Sequence, residues 1–255
     1  MSAIKLVLTD VDGTLVPLLV DKPSQAVIDA IKAVQDKGVD VAPVTGRPYD
    51  FMKGLFDAVT FHDYGVFDAG ASVRKVATGE VVWKNWLSIE RIQSILQVLL
   101  PVSEIVDYFP DFKEVKADEV TIESVTDDAP YVFAFVKDDE AGKLAVAKLK
   151  KDMTLSVNVH YAHEAWEGYL NIQITDHMAD KYHGVMALRE LAHSKPEETL
   201  AIGDSGNDLP LFKAAGVKVA MGNAIQELKE LADHVVAGVD EDGFAEAMHK
   251  FVLTD

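Results

Sequence analysis

The sequence predicts an α/β protein: a doubly wound parallel sheet (Rossmannoid core) with a second, α+β domain inserted into it. Three observations carry that prediction. Short apolar, β-branched runs alternate with amphipathic stretches of helical length through the first seventy or so residues, the pattern of strand–helix–strand units. The alternation stops near Ala71, and strand-like segments then follow in runs with only two helices among them. It resumes at Asp180 and continues to the C-terminus. Residues 1–79 and 176–255 are therefore expected to share one sheet, and residues 80–175 to form the insert.

The elements follow in order. Lys5 to Leu8 is an apolar run that ends in Asp10, Asp12 and Gly13, a buried strand running into a turn. Pro23 and Ser24 start a helix in which Val27, Ile28, Ile31 and Val34 share a face, and Gly38 ends it. Val39 to Val44 is the second strand, finishing at Thr45-Gly46-Arg47-Pro48, which makes a right-handed parallel unit. Pro48 opens a helix to about Ala58, and Gly65 to Ala69 is the third strand.

Ser72 to Val76 and Val81 to Lys84 read as a hairpin across Thr78-Gly79. Ile92, Ile95, Leu96 and Leu99 mark a helix with Pro101 just beyond it. Strand-like segments follow at Val120–Val125 and Tyr131–Val136, a helix at Asp138–Lys150, then strands at Leu155–His160 and Tyr169–Thr175. After Asp180 come a helix through Val185, Leu188 and Leu191, a strand Thr199–Gly203 ending at Asp204, and a helix over Leu209–Ala214. A strand at Val217–Met221, a helix near Ile225–Leu231, a strand at His234–Val236 and a helix from Phe244 complete the chain.

Composition narrows the function. Lys and Arg number 24 against 42 Asp and Glu, a formal net charge of −18, so no phosphate backbone organises this surface and nucleic acid is not the expected partner. Cysteine is absent, which excludes disulfides, thiolate metal sites and a cysteine nucleophile. The first apolar run is broken by Asp10, and Leu15 to Val20 is too short to cross a bilayer, so the expectation is a soluble, cytoplasmic protein with no membrane association. Monomer and dimer are equally compatible with the sequence.

Ligands of open α/β sheets bind at the carboxyl ends of the strands. Asp10 and Asp12 taken alone read equally well as an Asp/Gly turn. Three further segments converge on the same end of the expected sheet: Thr45-Gly46-Arg47, Lys181 at a helix start, and Gly203-Asp204-Ser205-Gly206-Asn207-Asp208. Several carboxylates in one crevice repel each other unless a cation joins them, and hard oxygen ligands favour Mg²⁺. A hydroxyl at Thr45, backbone donors near Gly46 and the Lys181 ammonium supply what a phosphoryl group needs. The constellation asks for metal-assisted phosphoryl transfer.

These four segments resemble the four motifs of the haloacid dehalogenase (HAD) superfamily of phosphohydrolases. Asp10-Val11-Asp12-Gly13-Thr14 matches the first motif, Thr45 the second, Lys181 in Asp180-Lys181-Tyr182-His183-Gly184 the third, and Gly203-Asp204 with Asn207-Asp208 the fourth. An insertion between the second and third motifs is similar to the Cof-type, class IIB branch, which includes sugar phosphatases and phosphomannomutases. Met221-Gly222-Asn223-Ala224 and Asp240 to Gly243 resemble that branch too. Where the branch carries Asn-Gly after its third strand, this chain has Asp68-Ala69-Gly70-Ala71, and Asn171 stands where an acid is common.

The resemblance implies a HAD-like core with a cap domain that closes over substrate. It implies a phosphatase acting on a small phosphorylated metabolite, a sugar or polyol phosphate, through an aspartyl-phosphate. Asp10 would be the nucleophile and Asp12 the general acid/base. Mg²⁺ would sit among Asp10, the Asp12 carbonyl, Asp204 and Asp208, the last direct or through water. Thr45, Gly46 and Lys181 would hold the phosphoryl oxygens, with Arg47 and Asn207 as further substrate contacts. A phosphomutase would use the same residues, and a non-catalytic phosphosugar-binding module is the alternative from another class.

Several residues carry plainer readings. Thr45 and Asp208 are also placed to cap helices, and Arg47 to make a structural ion pair. Trp83, Trp86, Trp166, Tyr108, Tyr131, Tyr161 and Tyr169 are expected to fill the core of a small insert rather than to cover a sugar ring. His160 and His163 read as packing or surface residues rather than metal ligands, and Asp127-Asp128 as a turn.

Overall fold

The computed structural model describes residues 3–254 apart from 19, 110, 112 and 163–167. In chain order the described residues form β1 (Leu6–Thr9), α1 (Gln25–Asp36), β2 (Asp40–Pro43), a 3₁₀ turn at Tyr49–Met52 leading into α2 (Lys53–Ala58), β3 (Tyr64–Phe67), β4 (Ser72–Lys75) and β5 (Val81–Lys84). Then come α3 (Ile89–Leu99), β6 (Ile105–Asp107), β7 (Val115–Lys116), β8 (Val132–Val136), α4 (Asp139–Lys151), β9 (Val157–Ala162) and β10 (Leu170–Asp176). The chain continues through α5 (Lys181–Leu191), β11 (Thr199–Gly203), α6 (Leu209–Lys213), β12 (Val217–Ala220), α7 (Gln226–Leu231), β13 (His234–Val235) and α8 (Gly243–Phe251). None of these helices is long and apolar enough to cross a membrane.

Two compact units result, Met1–Trp83 with Asp180–Asp255, and Lys84–Ala179. The division falls a few residues beyond the 79/80 and 175/176 junctions expected from the sequence. β5 stays with the first unit because it continues the β3–β4 sheet.

The first unit is built on a five-stranded sheet in the order β13-β12-β11-β1-β2. All its pairings are parallel, with Val7 of β1 opposite Leu200 of β11 and Val41 of β2. β1 is central and buried along its whole length, which is why it reads as an unbroken apolar run. The carboxyl ends of β1, β2 and β11 therefore lie side by side, and Asp10, Thr45 and Asp204 follow them at once.

One expectation is corrected here. The third strand is not a regular member of the parallel sheet: β3 pairs antiparallel with β4 in a separate sheet of order β3-β4-β5. Its link to β2 is a single parallel bridge, Val44 to Val66. Val41 O accepts from His62 N at 2.7 Å and Thr45 N donates to Val66 O at 2.9 Å, but the residue between them is Pro43, which has no N–H to donate. A missing rung at that position stops the ladder from extending. The single helix expected over Pro48–Ala58 likewise divides into the 3₁₀ turn and α2.

The second unit is an antiparallel sheet, β7-β6-β8-β10-β9, with α3 and α4. Ile92, Ile95, Leu96 and Leu99 of α3 and Val146 and Leu149 of α4 bury against Leu170, Ile172 and Ile174 of β10 in one core. Asp138 caps α4, accepting from Glu140 N and Ala141 N. Val120–Val125 does not form the expected strand. Ile122–Ser124 is a 3₁₀ turn, and another at Ala117–Glu119 precedes it. Tyr108 and Tyr131 are buried in this unit, as expected, whereas Tyr161 is exposed. Trp83 packs instead against the core of the first unit, and Lys84 Nζ lies 4.4 Å over the Trp86 ring. His160 is exposed on β9. Trp166 and His163 lie outside the described residues.

Candidate active site

Two local structures bring the acids together. After β1 the chain turns back on itself, with Leu15 N and Val16 N both donating to Val11 O. Gly13 adopts φ +78°, and a Cβ there would lie 2.3 Å from Asp204 Oδ2, so this turn requires glycine on both counts. After β11, the Asp208 side chain folds back as a cap, its Oδ2 accepting from Asp204 N at 2.9 Å and Ser205 N at 3.0 Å. Asp208 thus closes a capping box around the 3₁₀ turn Gly206–Asp208, and it makes no cap hydrogen bond to the helix that starts at Leu209, the role its position there suggested.

Lys181 reaches into this cluster from the first turn of α5, where Asp180 is the N-cap and accepts from His183 N. Its Nζ is 2.6 Å from Asp10 Oδ1 and 2.5 Å from Asp208 Oδ1. The three residues are 2%, 4% and 0% exposed, in that chain order of Lys181, Asp10 and Asp208. Burial and the neighbouring Asp208 charge push the Asp10 carboxyl well above the usual carboxylate range, against the pull of Lys181. Burial and Asp208 push Asp204 up to about 6. Burial alone would lower the Lys181 pKa, but Asp10 and Asp208 outweigh it and raise it.

Asp10, Asp204 and Asp208 each offer an oxygen within 4.8 Å of the others. Three acids face one ammonium, and the raised Asp10 and Asp204 record an excess of negative charge that a hard dication would relieve. The donor set fits a hard divalent cation, which Asp10 and Asp204 would hold. Asp208 completes the cluster, with one oxygen on Lys181 and the other on two backbone N–H groups.

Asp12 is held separately. Arg47 grips it with a two-pronged fork, Nε to Oδ2 at 2.8 Å and Nη2 to Oδ1 at 2.6 Å. The same guanidinium reaches Asp21 Oδ1 at 3.0 Å and Val20 O at 3.0 Å. Of its two sequence readings, Arg47 takes the ion pair. Thr45 is buried, and its Oγ1 accepts from Arg47 N at 3.1 Å, which leaves the hydroxyl hydrogen for another acceptor. The 3₁₀ turn that follows has no side-chain cap, so Thr45 is not a helix cap. Nothing lies within 4 Å of where a Gly46 Cβ would be. Asn207 is exposed and accepts from Ser205 Oγ at 2.9 Å.

The site also includes residues to which the sequence reading gave no role. Thr14 Oγ1 donates to Asp204 Oδ1 at 3.0 Å, and Asn223 Nδ2 approaches Asp204 Oδ2 at 3.3 Å. Both sit in stretches already marked by resemblance, which was the available signal. Asp21, the second partner of Arg47, had no signal beyond its charge.

Comparison with known proteins follows from this geometry. A family model described as haloacid dehalogenase-like hydrolase matches residues 7–109 and 102–248. Phosphoglycolate phosphatase 1 of Saccharolobus solfataricus is 30% identical, over 98% of this chain and 96% of its own. The 5-amino-6-(5-phospho-D-ribitylamino)uracil phosphatase YcsE of Bacillus subtilis is 28% identical, over 98% of this chain and 96% of its own. Among solved structures, the HAD-superfamily phosphatase BT1666 of Bacteroides thetaiotaomicron superposes with a TM-score of 0.78 at 25% identity, covering 99% of this chain and 96% of that one.

Proposed function

The chain belongs to the haloacid dehalogenase-like hydrolases and is a phosphoric monoester hydrolase; from that premise we propose that it is a Mg²⁺-dependent phosphatase of a small sugar or polyol phosphate, working through an aspartyl-phosphate on Asp10. The observation that carries the reading is the buried contact of Lys181 with Asp10 and Asp208, beside Asp204, at the carboxyl end of the central strands. A buried lysine placed on two acids binds charge that must be kept ionised, and Asp10 is the acid that follows β1 directly.

Asp10 attacks phosphorus in line, and the bond to the ester oxygen breaks as Asp12 delivers a proton to the departing alcohol. Water then attacks the phosphoryl group on Asp10, and Asp12 takes its proton back. Lys181 opposes but does not cancel the burial that raises Asp10, so the cation that Asp10 and Asp204 would hold is what completes its ionisation; after attack Lys181 holds a phosphoryl oxygen. Thr45 donates its hydroxyl hydrogen to a second oxygen, and the open backbone at Gly46 admits close approach of a third. Arg47 fixes the Asp12 side chain in one rotamer, and because both Asp12 oxygens accept from it, one prong of the fork must release before Asp12 carries the proton. Asp10 and Asp204 would hold Mg²⁺, which when bound would supply neutralisation of the charge that builds on the phosphoryl oxygens.

Two relatives are named for phosphoglycolate and for a phosphorylated ribityl chain, both small phosphomonoesters, which supports a substrate of that size. The test is phosphate release from a panel of sugar phosphates, polyol phosphates and phosphoglycolate, with and without EDTA. Turnover that survives chelation, or survives Asp10→Asn, would refute the mechanism.

A further inference from the structure

Two stretches marked in the sequence, Met221–Ala224 and Asp240–Gly243, have had no part in the chemistry so far. Asn223 connects them to it. Its Nδ2 donates to Gly13 O at 2.9 Å and to Asp204 Oδ2 at 3.3 Å, so both amide hydrogens are used. Its Oδ1 accepts from Val239 N at 2.9 Å. Because a backbone N–H can point only at an oxygen, Val239 fixes which end of the amide faces Asp204. Val239 is itself placed by a tight turn in which Glu241 N and Gly243 N both donate to Gly238 O at 3.0 Å, and Gly222 N ties the two stretches together through Ala237 O at 2.9 Å.

Around Asp204 the effect is a cradle. Thr14 holds one carboxylate oxygen, Asn223 holds the other, and Ile225 N donates to the Asp204 carbonyl at 2.9 Å. The Gly13 carbonyl that Asn223 also grips belongs to the turn that carries Asp12. One side chain, set from behind by the 238–243 turn, thus registers two catalytic loops that lie 190 residues apart, as the Thr14–Asp204 separation records.

We propose that Asn223 is a positioning residue for the divalent cation: it holds the Asp204 carboxylate in its ligating orientation, and the Gly238–Gly243 turn holds Asn223. This rests on the metal-dependent reading above. A ligand carboxylate left free to rotate must be ordered when the ion binds, and removing such outer partners weakens metal affinity by about 10- to 100-fold. Asn223 itself is exposed, so Asn223→Ala removes these hydrogen bonds without opening a cavity in the core.

The experiment is calorimetric titration of the full chain with Mg²⁺, alongside melting in EDTA, for the wild type, Asn223→Ala and Val239→Pro. Proline suits the first position of a 3₁₀ turn; it removes the N–H that orients the amide and puts its Cδ where Asn223 Oδ1 now sits, so the amide must leave that position. The expected result is a Kd raised about tenfold or more in N223A and by a smaller factor in V239P. The apo melting temperature of N223A should stay within about 2 °C of wild type. An unchanged Kd in both variants overturns the proposal, whether or not melting shifts, because that pattern is a scaffold tie alone. Should N223A fail to fold, V239P decides in the same terms. Absence of Mg²⁺ binding by the wild type overturns the parent reading as well, and so is distinguishable from failure of the Asn223 assignment.

Discussion

Lys181 Nζ lies 2.5 Å from Asp208 Oδ1, and both side chains are buried out of reach of water. Lys181 also touches Asp10, so Asp208 shares the lysine with Asp10 while its other oxygen pins the Asp204 loop. Each member of the cluster is therefore held by a neighbour that has a second task.

Lys181→Met should be severe in two separable ways. It leaves Asp10 and Asp208 facing each other without a cation, a loss of roughly 3–5 kcal/mol of stability for breaking a buried pair. It also removes a phosphoryl donor, a loss of about 10²–10³ in kcat. Urea unfolding reads the first and phosphate release at saturating Mg²⁺ the second.

Asp204→Asn should make the metal-free protein more stable, because it removes one of the mutually repelling acids. The same change should abolish the stabilisation that Mg²⁺ binding would give the wild type, about 2.7 kcal/mol at a hundredfold excess over Kd, seen as a higher melting temperature. Differential scanning calorimetry with and without Mg²⁺ measures both. A variant that still gains stability from Mg²⁺ would place the ion elsewhere.

Arg47→Ala frees the Asp12 carboxylate from its fork. Proton delivery matters most when the leaving alcohol is poor, so alkyl phosphates should lose on the order of 10²-fold in kcat while p-nitrophenyl phosphate loses far less. Equal losses on both esters would mean that Arg47 serves phosphate binding and not the acid.

The second unit contains a pH-sensitive element of its own. Asp107 of β6 is fully buried, and burial pushes its carboxyl up to about 7 although Phe109 N donates to it at 3.1 Å. Between the unfolded value of 3.8 and about 7 the folded chain holds a proton that the unfolded chain releases. The stability this acid contributes is thus fully present below about pH 4 and is lost as the pH rises through 7, a span of a few kcal/mol. Asp107→Asn should flatten that decline and unfold at higher urea than wild type at pH 8, with little difference at pH 4.5.

Much of this was legible beforehand for a physical reason. β1 is buried on both faces and so carries an unbroken apolar run, and an acid just beyond such a run has few structural uses. Lys181 was found through its order among the motifs and not through its own surroundings. β6 and β7, with three and two residues, are too short to show a period, and so escaped notice. The fork of Arg47 on Asp12 joins residues 35 apart, and the reach of Asn223 to Gly13 spans 210. No local pattern announces contacts that only the folded sheet creates.

The absent donor at Pro43 leaves the Thr45–Arg47 segment suspended between two sheets. It is anchored on one side by Val44 N to Thr9 O at 2.8 Å and on the other by Thr45 N to Val66 O and Asp68 N to Arg47 O at 3.0 Å. Three backbone hydrogen bonds, and not a continuous ladder, therefore tie this segment to its neighbours on either side. A single imino acid at the end of β2 thus sets Thr45 and Arg47 at the junction of two sheets, with one end of their segment tied to each.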